Sequence, residues 1–155
     1  MPYDVEIKEL AARSAAVVRF TAHVSEMGDH LGKAFGVAMQ HIEASGSDIA
    51  GPPFAYFEQL GDQRFDVRAG FPVSTPVEGS GDVEAFELPG GAVATTLHVG
   101  SYAKLSEAYA AIEEQSKGAG YAVDTGGPSW EEYLSESDVP AEETRTVVYM
   151  PVRRK

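Results

Sequence analysis

Apolar and polar positions alternate with period two over most of the chain, and two stretches switch to period three to four. Val5 and Ile7 stand against Glu6 and Lys8, which predicts a half-buried strand ending near Leu10. Val17, Val18 and Phe20 mark a second strand over residues 15–21. Val24, Met27, Leu31, Ala34, Phe35, Ala38 and Ile42 then recur as one face of a helix. Thr21 and Ser25 are candidate caps, and the helix is expected to stop near Ala44, before Ser45-Gly46-Ser47. Gly51-Pro52-Pro53 breaks the chain ahead of an aromatic strand over residues 54–58. After a turn at Gly61-Asp62-Gln63, Phe65, Val67, Ala69, Phe71 and Val73 face one way, with Arg64, Asp66 and Arg68 facing the other. Residues 74–82 read as a polar linker with no packing signal.

The pattern then starts again. A strand over 83–88, a tight turn at Pro89-Gly90-Gly91 and a strand over 92–99 lead to Gly100-Ser101. The next helix has Tyr102, Leu105, Tyr109 and Ile112 on its apolar face and stops at Gly118 and Gly120. Gly127-Pro128 opens a second aromatic strand, Ser129-Trp130-Glu131-Glu132-Tyr133-Leu134. An acidic loop over 135–143 and a closing strand over 145–152 complete the chain. The opening strands of the two halves, from Val5 and from Val83, align at an offset of 78 residues. Gly51-Pro52-Pro53-Phe54 matches Gly127-Pro128-Ser129-Trp130, and Gly70-Phe71-Pro72-Val73 matches Tyr149-Met150-Pro151-Val152. Each half reads β-β-helix-β-β, a unit that leaves an apolar sheet face exposed when alone. The expectation is an α+β fold of two pseudo-symmetric repeats with antiparallel sheet, one helix per repeat and a ligand pocket at the seam. The chain is read as a single domain over 1–155, with repeat one about 4–73, a linker over 74–82 and repeat two about 83–153.

Composition narrows the chemistry. Among 155 residues, 24 Asp and Glu outweigh 12 Lys and Arg, giving a net charge of −12. Such a surface repels nucleic-acid phosphates, so direct nucleic-acid binding is not expected. The absence of cysteine excludes disulfides and thiolate chemistry. His23, His30, His41 and His98 show no metal-ligand spacing, and Glu136, Asp138, Glu142 and Glu143 lack the glycine and alternation of a calcium loop. No cofactor or metal is expected. No basic-then-apolar leader and no membrane-length apolar run are visible, so a cytoplasmic monomer or homodimer away from the membrane is expected.

The order and spacing of these motifs resemble the GyrI-like domain. That domain also forms the C-terminal effector-binding part of AraC-type and MerR-type multidrug-responsive transcription regulators. The residues that carry the resemblance are Val5-Glu6-Ile7-Lys8-Glu9-Leu10, Gly51-Pro52-Pro53-Phe54, Gly70-Phe71-Pro72-Val73, His98-Val99-Gly100-Ser101-Tyr102, Trp130-Glu131-Glu132-Tyr133-Leu134 and Tyr149-Met150-Pro151-Val152. Together they cover essentially the whole chain. The resemblance implies a pocket for bulky, flat, cationic molecules, with the glutamate of a Trp/Phe-Glu-x-Tyr strand at its floor. That glutamate maps to Glu131, with Tyr133 beside it. The resemblance also implies an alternative, since some family members hydrolyse cyclopropane-bearing DNA alkylators with the same glutamate and nearby aromatics. A third reading is a protein-interaction module acting on gyrase or a regulator. The sequence departs from the family pattern at Glu132, commonly an aliphatic, and at His23-Val24, often Pro-Tyr.

In a regular strand Glu131 and Tyr133 share one face, and Trp130 and Glu132 share the other. Alignment of the two aromatic strands sets Glu131 against Ala55 and Glu132 against Tyr56. The acid added by the second copy is therefore Glu131, and Glu132 is read as solvated. A glutamate among aromatics has its ionised form penalised by desolvation, and a bound cation reverses that penalty. Aromatic faces would add cation–π attraction of roughly 0.5–2 kcal/mol each. The same glutamate could position a water, with Tyr133 donating a proton. Candidate pocket-lining residues are Trp130, Tyr102, Phe57, Phe71, Phe54, Tyr149, Phe20 and His98, each also a plausible core residue. The expected partner is a small aromatic or cationic molecule.

Overall fold

The computed structural model describes residues 3–123, 127–134 and 139–155. In chain order the elements are β1 (Glu6–Leu10), β2 (Arg13–His23), α1 (Met27–Ala44), β3 (Phe54–Gly61), β4 (Arg64–Pro72), β5 (Val83–Leu88), β6 (Gly91–Val99), α2 (Leu105–Gly118), β7 (Tyr121–Val123), β8 (Ser129–Tyr133) and β9 (Arg145–Arg154). Every strand pairing with a described register is antiparallel, and the fold is α+β as the alternation requires.

The chain divides into two compact units, Ala11–Gly90 and Met1–Leu10 with Gly91–Lys155. In the first, the strand order is β3-β4-β2-β5 with α1 packed on one face. In the second, the order is β8-β9-β6-β1 with α2 packed on one face, and β7 pairs with the end of β9. The two orders are the same, but in each unit the last strand comes from the other sequence repeat. The repeats thus exchange their opening strands. Alternation reports which face of a strand is buried but not which neighbour it pairs with, and β1 and β5 carry nearly the same pattern. The three-residue β7 has too few residues to show a period.

In unit Ala11–Gly90 the core is Ala16, Ala38, Ile42, Phe71, Val73, Val77 and Val83, with Phe35 and Val18 packed against it. Val77 corrects the reading of residues 74–82 as a linker without packing. It is a lone apolar residue between Pro76 and Glu78, invisible to periodicity, and the segment around it is fastened by mutual backbone bonds between Ser80 and Val83. In the other unit the core is Ala94, Ala108, Ile112, Val148 and Met150. Within the helices the expected faces are buried at Ala34, Ala38, Ile42 and Ile112, but Val24 and Tyr102, expected on those faces, lie exposed in the 3-10 turns that precede them. The cap differs: His23, rather than Thr21 or Ser25, accepts the Ser25 N–H at 3.1 Å and opens a 3-10 turn before α1.

Gly28, Gly32 and Gly36 lie on exposed turns of α1, and a Cβ built on any of them meets nothing within 4 Å. Interior helical glycine costs about 0.5–1 kcal/mol relative to alanine. Gly32→Ala is therefore expected to raise stability by about that amount, read as a higher urea midpoint at unchanged m-value. No helix among the described residues is long and apolar enough to cross a membrane.

Candidate functional site

Strand β8 sets the geometry. Its register on β9 pairs Trp130 with Tyr149, Glu131 with Val148, Glu132 with Val147 and Tyr133 with Thr146. Val148 belongs to the core under α2, so the alternation of a strand puts Glu131 and Tyr133 on the helix-covered face. Trp130 and Glu132 point the other way. Glu131 is 8% exposed, a costly place for a carboxylate.

Two phenols meet it. The Tyr109 hydroxyl, from α2, donates to Glu131 Oε2 at 2.5 Å. The Tyr133 hydroxyl donates to Oε1 at 2.9 Å. Each oxygen thus has one donor, and among the described residues Glu131 forms no ion pair. Burial raises the Glu131 pKa above the ordinary carboxylate value, opposed by the two phenol hydrogen bonds and by nearby His98. Burial, and after it the adjacent Glu131 charge, pushes the Tyr109 and Tyr133 phenols well above their usual range. Both therefore serve as protonated donors at neutral pH.

A third tyrosine borders the pair. Tyr102 stands edge-on to Tyr133, with ring centroids 6.1 Å apart, and is 52% exposed. It sits in a 3-10 turn leading into α2, where the Ser101 hydroxyl accepts the Ala103 N–H at 3.1 Å. Gly100, just before, has φ +137°, in the region that favours glycine. His98 lies on the same sheet face as Glu131, since β9 places Thr146 between His98 and Tyr133. It is buried, with Nδ1 bonded to the Tyr3 hydroxyl and Nε2 to the Ser101 carbonyl, both at 2.9 Å.

Trp130 stacks on Tyr149 on the opposite sheet face, with centroids 5.6 Å apart, and the Tyr149 hydroxyl donates to Glu132 Oε1 at 2.6 Å. Glu132, read as solvated, is thus hydrogen-bonded and half-buried. Phe20, Phe54, Phe57 and Phe71 belong to unit Ala11–Gly90. There Phe20 stacks on His30, Phe57 meets Phe65 edge-on, Phe54 is buried near Phe86, and Phe71 packs with Phe35. Glu136 and Asp138 of the acidic loop lie outside the described residues.

Two residues of the cluster escape sequence reasoning. Tyr109 is recognisable as a core-face residue of α2, but its hydroxyl, reaching across to Glu131, is not. Thr146 is fully buried with no partner for its hydroxyl among the described residues, and nothing in its strand pattern distinguishes it from a packing residue. Two open depressions, of about 270 and 480 Å³, are lined by residues of unit Ala11–Gly90, and neither touches the Glu131 cluster. Among the described residues no group of three or more His, Asp or Glu side chains could hold a metal ion. What the cluster offers is a single buried negative charge framed by aromatic rings.

A family model, described as the GyrI-like small molecule binding domain, matches residues 3–153. The chain belongs to the GyrI-like family. Solved structures share its fold at low identity. The EcmrR C-terminal domain is 18% identical, with a TM-score of 0.84 over all of both chains. In the EcmrR–DNA complex the same match spans 59% of the EcmrR chain. A hydrolase from Listeria innocua is 13% identical, with a TM-score of 0.69 over 99% of this chain and 94% of that one. SAV2435 bound to tetraphenylphosphonium is 15% identical, with a TM-score of 0.54 over 99% of this chain and 94% of that one. No curated protein matches the sequence. These neighbours establish the fold, and the family establishes a small-molecule-binding domain.

Proposed function

We propose that this domain binds bulky aromatic cations and that Glu131 is the counter-charge at its site. The observation that carries the reading is the Glu131 carboxylate itself, buried, hydrogen-bonded by two phenols and forming no ion pair among the described residues. A charge kept out of water with donors but no cation is energetically incomplete, and a lipophilic cation completes it without bringing a strong hydration shell. Tyr102, Tyr109 and Tyr133 supply rings whose faces attract positive charge. The neighbouring structure with tetraphenylphosphonium shows a molecule of this class on the same fold.

The test is a charge series of one shape. Tetraphenylphosphonium is expected to bind, tetraphenylborate to bind far more weakly, and neutral triphenylphosphine oxide to fall between. Glu131→Gln is expected to cost the cation about 2 kcal/mol or more, roughly thirtyfold in Kd, and to leave the neutral compound nearly unchanged. Equal calorimetric affinities of wild type and variant for the cation would refute the assignment.

A hydrolytic reading has one observation in its favour. The short Tyr109–Glu131 hydrogen bond couples a carboxylate to a buried phenol, an acid–base pair of the kind that can direct a water and protonate a leaving group. A hydrolase is also among the fold's neighbours. Mass-spectrometric turnover of a cyclopropane-bearing electrophile, lost in Glu131→Gln, would support it. Binding without turnover would remove it.

A further inference from the structure

We infer that His98 is a positioning residue for the Glu131 site, and that the Tyr3 hydroxyl at the N-terminal end of the chain sets it. The inference rests on the proposed cation-binding role of Glu131 and adds a control on that same site. His98 is 2% exposed and both ring nitrogens are used. The Ser101 carbonyl can only accept, so Nε2 carries the proton and donates to it. In the neutral ring Nδ1 is then an acceptor, and the Tyr3 hydroxyl donates to it. The Tyr3 ring lies stacked beside the imidazole, with centroids 5.9 Å apart at 23°. The Tyr3 carbonyl accepts from Gln115 Nε2 at 2.8 Å, which holds the donor itself against α2.

The bond from His98 fixes the residue that launches Tyr102. Ser101 is the cap of the turn that carries Tyr102, and its carbonyl also accepts the Lys104 N–H at 3.0 Å. The Gly100 N–H on the other side of Ser101 donates to the Thr144 carbonyl at 2.8 Å. The turn is thus held both from the chain just before β9 and from His98, and Tyr102 is delivered edge-on to Tyr133, the phenol that holds Glu131 Oε1. The line of contact runs from Tyr3 through His98 and Ser101 to Tyr102 and Tyr133. A preorganised aromatic wall lowers the ordering cost of binding. This Tyr3–His98–Ser101 latch is therefore expected to act on affinity through Tyr102 and not through the overall fold.

Tyr3→Phe removes the donor and keeps the ring. It is expected to weaken tetraphenylphosphonium binding about fivefold to tenfold, and to have no further effect in a Tyr102→Ala background. The same variant is expected to shift the 15N resonance of His98 Nδ1, which loses its donor, while Nε2 keeps its proton on the Ser101 carbonyl, and to speed amide exchange at Ala103 and Lys104. His98→Gln, which can keep a donor to the Ser101 carbonyl, is expected to retain more affinity than His98→Ala. An undiminished affinity in Tyr3→Phe, or a loss that persists undiminished in the Tyr102→Ala background, overturns the latch. Should the wild type fail to bind tetraphenylphosphonium, the cation-binding reading fails alone. The latch is then decided by the His98 Nδ1 resonance and by amide exchange, and unchanged values for both in Tyr3→Phe overturn it.

Discussion

Tetraphenylphosphonium is expected to bind more tightly as pH rises from 4 to 8, and Glu131→Gln is expected to flatten the profile. The ligand has no titratable group, so the dependence belongs to the protein. Burial raises the Glu131 pKa in the empty domain, and the two phenol bonds only partly offset this. A cation at the carboxylate favours the ionised form and lowers the pKa in the complex. Below the empty-state pKa, binding must therefore release a proton. Linkage makes the affinity climb by as much as about tenfold per pH unit there and level off above it. Calorimetry in buffers of different ionisation enthalpy would count the proton directly. Tyr109→Phe removes one of the two stabilising donors and should shift the rising limb to higher pH. A rising limb that survives in Glu131→Gln would assign the titration to another group and remove Glu131 from the mechanism.

That pH profile turns on a carboxylate whose side of the strand was legible in the sequence. Period-two alternation is enough to group Glu131 with Tyr133 and Trp130 with Glu132, and β8 obeys it. The longer period of three to four likewise marked both helices and their buried faces. Neither period could supply contacts between residues far apart in sequence. Tyr109 and Glu131 lie 22 positions apart, and their meeting depends on how α2 packs over β6 and β9 next to β8. The Tyr3–His98 bond spans 95 positions. Val77 escaped because one apolar residue has no period, and the exchange of β1 and β5 because their patterns are nearly interchangeable. Phe54 and Phe71 show the converse limit: an aromatic strand reads the same whether its rings fill a core or face a ligand, and these two are buried.

Adjacent residues of β8 are expected to move stability in opposite directions. Trp130 is 2% exposed, stacks on Tyr149 and is among the largest fully buried side chains. Trp130→Ala should cost about 3–5 kcal/mol through lost transfer energy and the cavity left behind. The cost should be the same at pH 4 and pH 8, because no proton is involved. Glu131 behaves differently. Its folded pKa is raised, so below the ordinary value of about 4.3 it is protonated in both states and carries no ionisation penalty. As pH rises the unfolded chain gives up its proton first. Stability then falls until the folded pKa is passed and stays level above it. Glutamine does not titrate, so Glu131→Gln should gain on the wild type as pH rises from 4 to 8. Urea unfolding of the three proteins at both pH values reads all of these terms. A variant that loses stability relative to wild type as pH rises would mean that the Tyr109 and Tyr133 hydrogen bonds to the ionised carboxylate outweigh its desolvation. With the expected sign, a five-residue strand holds a destabilising charge on one face because the indole on its other face anchors it. Binding a cation would then recover on the first face what folding gave up.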